Sequence, residues 1–427
     1  MLRYLEIPDY HFSKQWADTA LLCAKAVEDA AIKNGVDFIA VPGDFFDAPI
    51  FASDKGGMKI AQKIMKSWTD VAPVAAIEGT PSHDAIGCYG LFDGMNFTLL
   101  KPGKVYGYHA LEAEFDKPFI DEVPKFTKVK PDCILFGVPE LSKSNIQAKL
   151  SLSAEEANAK TVNLFDKYIQ EFVGPMRLKY KDVPAIGLLH GNVSDSHQEN
   201  CTDIIMRSSD IVIHTEILEK AGLDRWSLGH IHTPWESNTI CAGYAGYPGV
   251  DRNPWGKRDF VPGFNLITID YSLRKKAMEN ILFSSDQVEI TRILYGTPMR
   301  KKISTTDKLQ GVNMDMNVAY WLESDNPDAV LPEGLHPWSR ITYTEQETET
   351  RRVTKEQADE AKTLWDMFKL IDPEVNPKLK SKVDIIPIPQ NNIAGNKLDA
   401  KLTYVKIMGC DLFGGKTVEF DLNNLAT

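Results

Sequence analysis

The chain has 427 residues, 43% hydrophobic and 25% charged, which is ordinary for a globular protein with room for about two or three domains. A formal net charge of −11 excludes a surface that is basic all over, so a nucleic-acid substrate would have to be met by a local patch and by cations. Six scattered cysteines with no C-x-x-C pair argue against a disulfide framework or a structural zinc site and fit a reducing compartment.

Taken in chain order, Met1 to Ile7 is too short and too charged for a signal peptide and reads as a first strand. No apolar run approaches the roughly 20 residues a membrane span needs, so a cytoplasmic protein without membrane attachment is expected. Asp18 is placed to cap a helix with Leu21, Ala24, Val27 and Ala31 at helical spacing. Val36 to Val41 reads as a buried strand ending at Pro42-Gly43, and Val71 to Ile77 as another, with Gly79 beyond it. Pro184 to Leu189 precedes His190, and Asp210 to Ile213 precedes His214. A strand followed by a polar residue is the pattern of a site built where an α/β sheet opens outward.

Phe264 to Asp270 reads as a closing strand, and the composition changes after it. Basic runs appear at Arg274-Lys275-Lys276 and Arg300-Lys301-Lys302, and residues 317–323 read as a strand. Thr354 to Leu370 has the pattern of an amphipathic helix, with Ala358, Ala361, Leu364, Trp365 and Phe368 on one face. Asn376 to Asn396 is rich in Pro, Asn and Lys and reads partly as a linker. Residues 401–423 read as two strands about a Gly-Gly turn.

Five clusters carry the chemistry: Asp9-Tyr10-His11, Gly43-Asp44-Phe45-Phe46-Asp47, Gly79-Thr80-Pro81-Ser82-His83-Asp84, His190-Gly191 and Gly229-His230-Ile231-His232. Five of the nine histidines fall in them. An Asp and a His two apart at a strand end face the same way, so Asp9 with His11, and His230 with His232, are each expected to share a strand face. Asp44 follows a glycine that permits a sharp turn, and its two oxygens suit a bridge between two cations. Imidazole with carboxylate, and no thiolate, suits Mn, Fe or Zn. Two such ions about 3.5–4 Å apart suit phosphoryl transfer. His83 is the candidate proton donor to a departing oxygen. Asp84 is a further catalytic candidate, although Asp84 and Asp47 are equally suited to orienting a ligand. His109, His197, His214 and His336 are read as structural.

These clusters, in this order, resemble the calcineurin-like metallophosphoesterases, whose pattern is D-x-H, G-D-x-x-D, G-N-H-D/E, H and G-H-x-H. Within that superfamily the chain is most similar to the SbcD-type DNA double-strand-break repair nucleases. G-D-F-F-D, and Gly229-His230-Ile231-His232-Thr233-Pro234 followed by Tyr247-Pro248-Gly249 and Pro262-Gly263-Phe264, carry that likeness. The resemblance covers roughly residues 1–300. It implies an α/β fold, a four-layer αββα sandwich with a smaller α+β capping domain and a C-terminal β-hairpin. The expected divisions are a catalytic domain over 1–275, a capping, DNA-binding and partner-docking region over 276–385, and a hairpin segment over 386–427.

The resemblance also implies that Asp9, His11 and His232 hold a first metal, that Asp44 bridges, that His190 and His230 hold the second, and that His83 is catalytic. One position departs from the family pattern: Ser82 stands before His83 where the family has a ligating Asn. Ser82, Thr80 or water is left to complete the second site. The implied cofactors are two divalent ions, of the Mn type with Fe or Zn as alternatives. The implied partners are DNA and an SbcC-type ATPase, with a homodimer as a further expectation. The 401–423 hairpin resembles the opening of such an ATPase head, and no G-x-x-x-x-G-K-[ST] loop appears by Thr427, so the tail has two readings: the front part of a nuclease–ATPase fusion, or a hairpin that finishes the capping domain. The alternative activity on the same core is a phosphodiesterase or phosphatase for a nucleotide or another small phosphate ester. A scaffold with a decayed site is the non-enzymatic reading.

Overall fold

In the computed structural model the described residues are 1–50, 54–110, 117–123, 130–140, 153–194, 211–250, 261–270, 288–303, 318–324, 330–331, 333–343, 404–407 and 418–421. The fold is mixed α/β. In the first sheet, β1 (Leu2–Glu6), β2 (Phe38–Val41), β3 (Val74–Ala76) and β4 (Phe97–Leu99) run parallel. The second sheet takes β5 (Tyr106–His109), β6 (Phe119–Glu122), β7 (Cys133–Val138) and β8 (Ala185–His190). A short parallel pair follows, β9 (Asn192–Val193) with β10 (Val212–Ile213). The second sheet then gains β11 (Arg225–Gly229), β12 (Trp235–Glu236) and β13 (Ala242–Tyr244), and its order is β12-β13-β11-β8-β7-β5-β6. β14 (Phe264–Ile269) pairs antiparallel with β1, and β15 (Val288–Ile293) antiparallel with β14, which gives the first sheet the order β15-β14-β1-β2-β3-β4.

Alternation along the strands sorts side chains into separate cores. Phe38 and Ala40 of β2 share a cluster with Leu135 of β7 and with Ile186 and Leu188 of β8, so one apolar core draws on both large sheets. Ile39 and Val41 point the other way, among Ala20, Val27 and Trp68 from the helices α1 (Ala17–Asn34) and α2 (Lys55–Thr69). Phe136 and Leu189 turn outward from the second sheet to meet Phe165, Ile169 and Leu218. Strands buried on both faces read as continuous apolar runs, which is why these were legible in the sequence.

Several expectations are corrected. α1 begins at Ala17 with Trp16 at its cap, and Asp18 lies in its first turn, where a negative charge complements the helix dipole without capping it. The strand expected over 71–77 is confined to Val74–Ala76; Pro73 before it has no N–H to extend the ladder. A boundary at residue 275 would cut the first sheet, because β15 adds to it at 288–293.

A three-stranded sheet of β16 (Met299–Ile303), β17 (Val318–Ser324) and β18 (Arg340–Tyr343) follows, and the 300–302 basic run lies on β16. The chain divides into one unit of Met1–Ser324 with Asp328–Thr342 and a second of Asp325–Pro327 with Tyr343–Thr427. In the second unit, β19 (Tyr404–Ile407) and β20 (Val418–Asp421) form an antiparallel two-stranded sheet. The 274–276 run, the 354–370 helix and the 376–396 segment lie outside the described residues. Among the described residues, no helix is long and apolar enough to cross a membrane, and Cys23, Cys88, Cys133 and Cys241 are free thiols.

Candidate metal centre

The ligand-bearing loops begin where strands of both large sheets end. The loops after β1 and β2 are zipped together by backbone hydrogen bonds, from Asp9 N to Gly43 O (3.1 Å), His11 N to Asp44 O (3.0 Å) and Phe12 N to Phe45 O (2.7 Å). Asp9, His11 and Asp44 take left-handed φ values of 49°, 50° and 51°, and His230, directly after β11, takes 100°. Asp9 and His11 therefore converge through backbone twist in a loop, and the expected alternation along a strand is not what aligns them. His230 and His232 also lie past the end of β11 and face different neighbours.

Three groups of side chains are close enough to hold a cation: Asp9, His11 and His232; Asp9, Asp44 and His190; and His11, Asp47 and His83. The Nε2 atoms of His11 and His232 stand 3.1 Å apart, with Asp9 Oδ1 3.9 Å from His232. Asp44 Oδ2 lies 3.2 Å from His190 Nε2, and His190 Nδ1 donates to the carbonyl of Pro42 at 2.8 Å. That bond presents Nε2 to the site. It needs Gly43, because a Cβ there would stand 2.4 Å from His190 Nδ1 at a φ of 88°. The carboxylate common to the first two groups is Asp9, where the resemblance implied Asp44. His230 joins none of the three. Its ring lies 5.3 Å from that of His190, and its backbone N–H donates to Asp9 Oδ1 at 2.8 Å.

Ser82 is exposed, and of the groups named for that position Thr80 is the one that lies beside Asp44 and His190. Thr80 N donates to Asp44 Oδ1 at 2.5 Å, and its hydroxyl lies 3.2 Å from Asp44 Oδ2 and 3.3 Å from His190 Nε2. Asp84 is also corrected. It is buried and accepts hydrogen bonds from Phe46 N (3.1 Å), Gly79 N (2.9 Å) and the Tyr89 hydroxyl (2.8 Å), so it ties two ligand loops together and is not presented to a substrate. Asp47 does two things: its carboxylate lies 3.6 Å from His11 Nδ1, and its backbone carbonyl accepts from His83 Nδ1 at 2.5 Å. The His83 ring stands edge-on to His11 at 4.7 Å.

Burial pushes the Asp9 carboxyl up to about 7, against the pull of His190. Burial also acts on Asp44, but the histidines around it, His190 foremost, hold it below the usual carboxylate range. Burial disfavours the His190 cation, yet Asp44 beside it lifts its pKa to about 10. His232 is driven well below the ordinary imidazole value by burial and then by His11, which leaves a neutral ring with a lone pair to offer. The donor set therefore fits divalent transition ions: imidazole nitrogens and carboxylate oxygens, no thiolate, and a buried Asp9 Oδ2 without a hydrogen-bond partner among the described residues.

Sequence reasoning gave no role to Tyr247, whose ring stacks on His232 at 5.4 Å, or to Tyr89. It also passed over Glu6 and Arg225, although a charged residue in an otherwise apolar strand was a readable signal. Three of the remaining histidines lie elsewhere: His109 is 3.3 Å from Asp121, His214 precedes the helix Thr215–Lys220, and His336 packs on Trp338. His197 lies outside the described residues.

No protein-family model matches the chain, and no curated protein matches it. Among solved structures it is similar to GAP50, described as the anchor in the inner membrane complex of Plasmodium, with 14% identity and a TM-score of 0.38 over 62% of this chain and 80% of that one. It is also similar to TT1561 of Thermus thermophilus, with 11% identity and a TM-score of 0.33 over 68% of this chain and 98% of that one. Both likenesses are weak in shape and in sequence.

Proposed function

We propose that the chain is a two-metal phosphodiesterase of the calcineurin-like class, a DNA nuclease of the SbcD type that works with an SbcC-type ATPase in the cytoplasm. The observation that carries this reading is the convergence of Asp9, His11, Asp44, His190 and His232, from four distant segments, into two cation-sized groups sharing Asp9. The three apolar cores, one between the large sheets and one outside each, support a four-layer αββα arrangement.

Asp9, His11 and His232 would hold one ion, and Asp9, Asp44 and His190 the other, with Thr80 and His230 adjoining the second. Two divalent ions held there would supply Lewis-acid polarisation of a phosphoryl oxygen and activation of water. Asp47 orients His11 from behind. The Asp47 carbonyl holds His83 Nδ1, which leaves Nε2 as the atom to pass a proton to the departing oxygen. Asp84 keeps the Asp44 and His83 loops at a fixed separation.

The test is Mn²⁺-dependent degradation of linear duplex DNA by the full chain, with and without the ATPase. Degradation that requires Mn²⁺ and is lost in His83→Ala supports the proposal; a Mn²⁺-loaded chain inert on DNA contradicts the nuclease reading.

A further inference from the structure

A second group of charges links the two large sheets, with Glu6 and Arg225 buried and Glu236 partly exposed. Glu6 on β1 and Arg225 on β11 are both 0% exposed, and Arg225 Nη2 donates to Glu6 Oε2 at 3.3 Å. The same guanidinium grips both oxygens of Glu236 on β12, at 2.8 and 2.9 Å. Asn265 on β14 donates to Glu6 Oε2 at 3.2 Å and accepts from Arg292 on β15 at 3.2 Å. Arg292 also donates to the carbonyl of Ala245. On β13, Gly243 pairs with Glu236, and a Cβ there would stand 2.2 Å from Glu236 Oε2. Only glycine lets that carboxylate cross a neighbouring strand to reach Arg225.

Stability is a poor explanation for such a network, since taking charges out of water can cost as much as their attraction returns. Its attachment points suggest another role. Glu6 closes β1 three residues before Asp9, and Arg225 opens β11, the strand that ends directly before His230. Glu236 lies four residues after His232, and Ala245 two before Tyr247, which stacks on His232. Most of the attached segments carry or touch a candidate ligand.

We infer that the Glu6–Arg225–Glu236 network is a positioning clamp, holding the His230–His232 segment in register with Asp9 and His11 across the two sheets. The inference rests on the metal reading of the site. Arg177 and Asp224 form a similarly buried pair at 3.2 Å, and Asp224 accepts from Ala185 N at the start of β8, the end of that strand away from His190. That pair sits at the starts of β8 and β11 and touches neither β1 nor β12, so it serves as a control for buried charge at the same end of those strands without the link between the two sheets.

The experiment is a calorimetric Mn²⁺ titration of the full chain, with thermal melts in chelator. Arg225→Lys keeps the charge but loses the fork, Gly243→Ala displaces Glu236, and Glu6→Gln with Arg225→Met removes the central pair. Arg225→Lys and Gly243→Ala should fold and bind at least one Mn²⁺ about 10–100-fold more weakly. Arg177→Met with Asp224→Asn should melt lower yet bind Mn²⁺ within about two-fold of wild type. If the Glu6/Arg225 double variant folds, it should show the same weakening, and wild-type Mn²⁺ affinity in it would overturn the clamp. If it does not fold, Arg225→Lys and Gly243→Ala decide. Wild-type Mn²⁺ affinity in both of those also overturns the clamp. A wild-type chain that takes up no Mn²⁺ overturns the metal reading itself, which is a separate outcome.

Discussion

Among the described residues, the non-glycine positions with positive φ are Asp9, His11, Asp44 and His230, and all four are candidate ligands. Asp and His tolerate the left-handed region better than most residues, but each such position stores about 1–3 kcal/mol. His230→Gly should relieve that strain while removing an imidazole. The metal-free variant should melt no lower than wild type in chelator, yet lose phosphodiester cleavage; a clear fall in Tm would show that the His230 side chain mainly holds the fold. His83→Ala should slow cleavage by roughly 10²–10⁴ with Mn²⁺ binding intact. Loss of metal in that variant would make His83 a ligand, as its grouping with His11 and Asp47 allows. The third cluster shows where reading the sequence stopped. G-T-P-S-H-D has two more residues than G-N-H-D, so counting back from His83 reaches Ser82, and counting forward from Gly79 reaches Thr80. Only the position of the Thr80 amide and hydroxyl against Asp44 separates the two. Thr80→Ala should weaken the second metal, and Ser82→Ala should leave metal affinity and Tm unchanged; the reverse pattern in a Mn²⁺ titration would restore Ser82.

At the scale of elements, the strands buried on both faces were legible because their apolar runs end in turn-forming residues. β8 and β14 fall within a residue or so of their sequence limits. Pairing was not legible: nothing in the local sequence says that β14 and β15 return to the edge of β1, and that return moves the domain boundary past 275. The helix Ala154–Tyr168 opens with a capping box. The Ser153 hydroxyl accepts from Glu156 N at 3.2 Å, and the Glu156 carboxylate accepts from Ser153 N at 2.9 Å. Ser153→Ala should lower stability by about 1 kcal/mol and leave Mn²⁺ affinity alone. Chemical denaturation alongside a Mn²⁺ titration checks both halves, and a change in metal affinity would mean that the outer helices couple to the site.

For the whole molecule, the ligand types and their order were readable from the five clusters. The sharing of Asp9 was not, and Asp84 was left between a catalytic and an orienting role, because both depend on which loop oxygens face inward. Folding brings these loops together from both large sheets, so metal binding and folding should be linked: Mn²⁺ at about 100 times its dissociation constant should add about 2.7 kcal/mol for one site. The most direct measurement is the number of Mn²⁺ ions bound per full chain by calorimetry, for wild type and for Asp9→Asn. Two ions are expected in wild type, with both weakened in Asp9→Asn, because Asp9 is the carboxylate common to the two groups. A wild-type chain that binds no Mn²⁺, or two ions held as tightly without the Asp9 carboxylate, would contradict a two-metal centre shared through Asp9.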